Sequence, residues 1–164
     1  MSEETRVRAL TTVPLPPDEA FALFTEEVDR WWRRGPRFRA ELDGKEGVLR
    51  FEPGVGGRLL EVYDAAADEA FELGRILAWE PAKRLVFQIG GRDFASDEWT
   101  EVEIRFERVE RGTRVSIDHY GFDALGTDHG VWHGQDRDAF IGSMGLWWGD
   151  LLVSLRAAGS RIRD

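Results

Sequence analysis

The stretch Thr100-Glu101-Val102-Glu103-Ile104-Arg105-Phe106-Glu107-Arg108 decides the fold, together with Thr113-Arg114-Val115-Ser116-Ile117-Asp118-His119-Tyr120-Gly121-Phe122, joined to it through Glu110-Arg111-Gly112. In the first run Val102, Ile104 and Phe106 face one way, while Glu101, Glu103, Arg105 and Glu107 face the other. In the second, Val115, Ile117 and His119 share a face opposite Arg114, Ser116 and Asp118. A period of two marks strands. One wet face and one apolar face mark an antiparallel sheet covered on a single side. Such a sheet needs a cover.

The end of the chain supplies one. From about Asp138 to Ala158, Phe140, Met144, Trp147, Trp148, Leu151, Leu152 and Leu155 give a broad apolar helical surface, with a stop expected near Gly159. Upstream, Arg6–Val13 reads as a first strand ended by Pro14. Pro16-Pro17-Asp18-Glu19 then starts a helix, with Pro in its first turn and carboxylates at its positive end. Phe21, Phe24, Val28, Trp31 and Trp32 continue at helical spacing, as one bent helix or two short ones. Residues 35–47 form a loop. Val48–Glu52 and Arg58–Tyr63 form a hairpin about Pro53-Gly54-Val55-Gly56-Gly57, and Phe71–Trp79 pairs with Arg84–Ile89.

The order is therefore strand, helical segment, six strands and long helix. This is an α+β helix-grip fold: a curved antiparallel sheet of about seven strands wrapped around a long C-terminal helix. The 164 residues fit a single domain with its core at about 6–158.

Composition narrows the function. With 31 acidic and 22 basic residues the net charge is −9, which disfavours nucleic acid and anionic membrane surfaces as partners. The absence of Cys excludes disulfides, thiolate metal sites and a Cys nucleophile. Met1-Ser2-Glu3-Glu4-Thr5 lacks the apolar core of a signal peptide, and no run is long enough to span a membrane, so a cytoplasmic protein is expected.

Several ordered motifs then carry a resemblance. They are Phe51-Glu52-Pro53-Gly54-Val55-Gly56-Gly57-Arg58, Gly74-Arg75-Ile76-Leu77-Ala78-Trp79-Glu80-Pro81 with Arg84-Leu85-Val86-Phe87, and Trp99-Thr100-Glu101-Val102. Gly112-Thr113-Arg114-Val115, His119-Tyr120-Gly121-Phe122 and Gly145-Leu146-Trp147-Trp148 complete the set. From Arg6 to Leu155 the chain resembles the START/Bet v 1-like (SRPBCC) superfamily. Within it, the match is to homologues of the C-terminal domain of the activator of the heat-shock-protein-90 ATPase. The resemblance implies a cavity of the kind that takes lipids, hormones, polyketides and other apolar molecules, and no shared catalytic constellation. The activator proper carries a further N-terminal, chaperone-binding domain, for which 164 residues leave no room, so a chaperone is the weaker partner expectation. Asp123–Arg137, rich in Gly, Asp and His, reads as a lid particular to this chain.

The candidate ligand-binding residues are Trp31, Trp32, Phe51, Trp79, Phe87, Phe106, His119, Phe122, Trp132, Phe140, Met144, Trp147 and Trp148. The rings are either the wall of a pocket or plain core. Gly142, Gly145 and Gly149 fall on one stripe of the last helix, each costing about 1 kcal/mol relative to Ala, which calls for room for a ligand or a close approach to the sheet. His119 is a polar anchor, an acid–base group or a satisfied interior histidine. Arg50 and Arg75 are candidate charged anchors, with surface exposure the simpler reading. His129 and His133 have the spacing of a helical metal site, yet Gly126, Gly130 and Gly134 make the segment a poor helix. Ser143 is in no nucleophile elbow, and Gly54–Gly57 lacks a dinucleotide-loop pattern. No catalytic residue, metal or cofactor is expected. The leading function is binding or carrying a small apolar molecule, by a monomer or homodimer. A cyclase or hydrolase using His119, and a chaperone-associated regulatory module, are the alternatives.

Overall fold

The computed structural model describes residues 4–91 and 93–163; Met1–Glu3 of the acidic N-terminal stretch lie outside them. Seven strands, β1 (Val7–Val13), β2 (Val48–Phe51), β3 (Arg58–Asp64), β4 (Glu69–Glu80), β5 (Arg84–Ile89), β6 (Thr100–Val109) and β7 (Gly112–Tyr120), form one antiparallel sheet. Their order is β1-β7-β6-β5-β4-β3-β2. The first strand thus skips the meander and closes against the last. Two short helices, α1 (Pro17–Thr25) and α2 (Val28–Trp31), bridge β1 to β2, and α3 (Arg137–Arg163) crosses the sheet.

The β6–β7 alternation is realised in register. Val102 lies opposite His119, Ile104 opposite Ile117 and Phe106 opposite Val115, all buried. On the wet face Glu103 stands directly against Asp118, a like-charge pair that would oppose the ladder. Arg84 reaches Glu103 at 2.6 Å and Arg6 reaches Asp118 at 2.5 Å, so each carboxylate is offset by its own guanidinium.

The sheet bends where β4 meets its neighbours. Register shifts interrupt β3–β4 at Leu59/Leu60 and Val62/Asp64, and β4–β5 at Ile76/Ala78. Extra residues at such bulges increase local twist and curl the strand. Gly74 makes the bend possible, since a Cβ there would sit 1.7 Å from the Gln88 carbonyl oxygen.

The segment after β1 resolves into two helices, parted at Glu27, whose φ of −115° and ψ of 31° are not helical. The last helix runs to Arg163, past the stop expected at Gly159. Gly159 does not end the helix; it lets the helix touch β1. A Cβ at this buried position would come within 2.5 Å of Val13 Cγ1. The inner faces of sheet and helices merge into one apolar cluster that includes Trp31, Phe87, Phe122, Phe140 and Trp148. Among the described residues no helix is long and apolar enough to cross a membrane.

Candidate functional site

Most of the space between sheet and helix is filled. Phe24 packs on Trp31 at 4.8 Å, Phe51 on Phe87 at 5.2 Å, and Phe21 on both Trp79 and Phe106 at 5.2 Å. At the other end Phe140 packs on Phe122 at 4.8 Å and on Trp132 at 4.6 Å. These edge and tilted contacts are the arrangements aromatic quadrupoles favour, and they leave little room among the rings.

A cleft of about 300 Å³ opens at the N-terminal half of α3. One wall is the helix, through Met144 and Trp147, with Trp32 and Phe38 beside them. The opposite wall is Leu73 of β4, Ile89 at the end of β5, and Phe94 in the loop that follows. Phe122 and Val131 close one end, and Arg37, Asp93 and His133 stand at the lining's polar positions.

Hydrogen bonds fix the aromatic wall. The Trp32 indole N–H donates to the Phe38 carbonyl at 2.9 Å, and that of Trp147 to the Arg37 carbonyl at 2.7 Å. Phe38 stacks on Trp147 at 5.9 Å, with the guanidinium carbons of Arg33 and Arg37 about 5 Å from its ring centroid. Arg37 is further held by Asp150 at 2.8 Å. Beneath this loop Arg39 is buried and spends its donors on Asp29 at 2.6 Å and on the carbonyls of Trp32, Arg33 and Gly47. The buried Glu61 carboxylate accepts the backbone N–H groups of Ala40 and Glu41 and the Tyr63 hydroxyl. These bonds tie the segment between α2 and β2 to Asp29 of α2 and to Glu61 of β3.

The floor is a directed chain of polar groups. The Trp148 indole N–H donates to His119 Nδ1 at 3.1 Å, so the ring proton sits on Nε2 and is given to Thr100 Oγ1 at 2.7 Å. The Thr100 hydroxyl then donates to the Ile89 carbonyl at 2.9 Å. Burial pushes the His119 pKa down to about 3, which keeps the ring neutral. Both ring nitrogens are occupied. This is the satisfied-histidine arrangement, and it leaves no free nitrogen to exchange a proton with a ligand.

Of the thirteen residues read from sequence, Trp32, His119, Phe122, Met144 and Trp147 line the cleft. Trp31, Phe51, Phe87, Phe106, Trp132, Phe140 and Trp148 are buried in the packed cluster, and Trp79 is half-buried against it. Phe38, Leu73, Ile89, Phe94 and Val131 join the lining without having been singled out. Arg50 and Arg75 are exposed, and Arg75 pairs with Glu72. His129 binds Glu98 at 3.1 Å and accepts the Val131 N–H at 3.0 Å, tying the segment before α3 to the β5–β6 loop. Among the described residues no three His, Cys, Asp or Glu side chains are grouped as metal ligands. Gly142, Gly145 and Gly149 serve neither purpose expected of them: a Cβ at each would meet nothing within 4 Å, and none lines the cleft.

A family profile described as Activator of Hsp90 ATPase homolog 1-like protein matches residues 14–151. The chain belongs to this family. Solved structures with the Aha1-like fold agree. Protein MLL2253 from Mesorhizobium loti superposes with a TM-score of 0.62 at 19% identity, covering 95% of this chain and 97% of that one. Protein NE0264 from Nitrosomonas europaea gives 0.63 at 15%, over 98% and 97%. The Aha1 dimer from Colwellia psychrerythraea, solved in solution, gives 0.61 at 17%, over 93% and 94%. No curated protein matches in sequence.

Proposed function

We propose that this chain binds a small, largely apolar molecule in the cleft between Trp147, Phe38 and Phe94. The observation that carries the reading is a cleft of about 300 Å³ between the sheet and α3, lined mostly by rings and aliphatic groups. That volume lies at the lower end of small-molecule sites, which are typically about 300–1,000 Å³ with a few orienting polar groups. Arg37, Asp93 and His133 would orient the occupant, and the neutral His119 floor would exclude a charged group.

Titration with a panel of flat aromatic and short-chain lipid compounds, read by tryptophan fluorescence and thermal shift, tests it. We expect Trp147→Ala and Phe94→Ala to weaken binding at least tenfold, and Leu10→Ala, exposed on β1, to leave it unchanged. No shift with any compound, and no retained small molecule by native mass spectrometry, would overturn the reading.

The description of the family suggests a second reading, surface contact with a chaperone ATPase. That reading forecasts an altered chaperone ATPase rate even with Trp147 and Phe94 replaced. The Colwellia relative is a dimer, and we carry that state to this chain as a homodimer.

A further inference from the structure

The outer side of α3 poses a question that the protomer does not answer. At ~100° per residue, Ala139, Gly142, Leu146, Gly149, Val153 and Ala157 fall within one ~80° sector of the helix, turned away from the core. None is charged, in a chain of net charge −9. Leu146 and Val153 are each 70% exposed. Beside them Gly142 and Gly149 open onto empty space, so nothing within the protomer offsets their helix cost of about 1 kcal/mol each.

We propose that this face is the contact between two copies of the chain, packed antiparallel about a twofold axis level with Trp147 and Trp148. The proposal rests on the homodimer reading and adds where the dimer forms. In that register Gly142 faces the partner subunit's Val153, and Leu146 faces the partner subunit's Gly149. Each aliphatic side chain enters the space a glycine leaves, and the twofold makes the fit mutual.

Charge supports the same register. Asp138 and Arg156 lie on one flank of the face, and neither side chain has a partner among the described residues. An antiparallel twofold brings like flank against like flank, setting Asp138 beside the partner subunit's Arg156, and the reverse, at the two ends of the seam. A parallel pairing would turn this flank against the opposite one, so Asp138 and Arg156 would not meet. The other flank carries Asp150, already held by Arg37.

Sedimentation equilibrium of the full chain tests the proposal. The wild type is expected as a dimer, and Leu146→Glu with Val153→Glu as a monomer with an unchanged far-UV spectrum. Gly149→Leu fills open space in the protomer, so it should leave thermal stability intact while weakening the dimer at least tenfold. Asp138→Arg and Arg156→Asp should each weaken it, and the double exchange should restore it. A wild type that stays monomeric overturns both this face and the homodimer reading. A dimer unaffected by the Leu146 and Val153 changes overturns the face alone. Single exchanges that are not rescued in combination overturn the antiparallel register.

Discussion

His119 shows how one side chain settles between chemistry and structure. Its alternation with Val115 and Ile117 put it on the inner face, where an imidazole must find partners or shed its charge. It does both, between Trp148 and Thr100. With its folded pKa depressed to about 3, the stabilisation it gives is complete above the unfolded value of ~6.5 and is lost as pH falls toward 3. The unfolded chain takes up a proton that the folded chain refuses. Urea unfolding at pH 7, 6 and 5 should therefore show stability falling by up to about 1.4 kcal/mol per pH unit below ~6.5. Glu52, lowered to about 2 mainly by its bond to Arg58, loses its contribution as the pH falls from the ordinary carboxylate value of about 4.5 toward 2. His119→Gln, which can accept and donate in the same directions, should flatten the profile between pH 6.5 and 5. A wild type with no slope would mean that the folded protein protonates this ring.

At the scale of elements, glycine separates what a helix or strand needs from what it merely tolerates. Gly74 and Gly159 sit against backbone and side chain with no room for a methyl group, whereas Gly145 borders empty space. Gly74→Ala should cost roughly 2 kcal/mol or more through strain in the β4–β5 pairing, while Gly145→Ala should gain about 0.5–1 kcal/mol from helix propensity. Chemical denaturation of the two variants checks both signs. The same contrast explains what could be read in advance. Strands β6 and β7 were legible because their alternation is unbroken. The five strands before them, the helical segment after β1 and the cover helix followed from similar patterns, but whether that segment was one bent helix or two did not. The end of α3 was not legible, because a glycine in close contact and a glycine at a helix stop look alike in sequence. The cleft was half legible. Trp32, Phe122, Met144 and Trp147 belong to elements or adjoin them, but Phe38 and Phe94 come from loops that carry no period. Strand parity correctly turned Phe51, Phe87 and Phe106 inward. It could not say that they would fill the interior rather than line a void.

For the whole molecule, the pairing of β1 with β7 dominates. Val7 meets His119 and Val13 meets Thr113, contacts separated by a hundred residues or more. Loops of that length must be closed before these contacts contribute, and folds rich in such pairings form in milliseconds to seconds. Stopped-flow refolding should fall in that range, with Val7→Ala mainly accelerating unfolding; a strong slowing of refolding instead would put β1 in the nucleus. The same closure sets a timetable during synthesis. At roughly 5–20 residues per second, β1 leaves the ribosome several seconds to some twenty seconds before the strand it pairs with exists. For that interval Val7 and Val13 have no sheet to join and Gly159 has yet to arrive beside them. The newborn β1 therefore spends its first moments as a bare strand in the crowded exit region, where holding it apart from its neighbours falls to the cell and not to the fold.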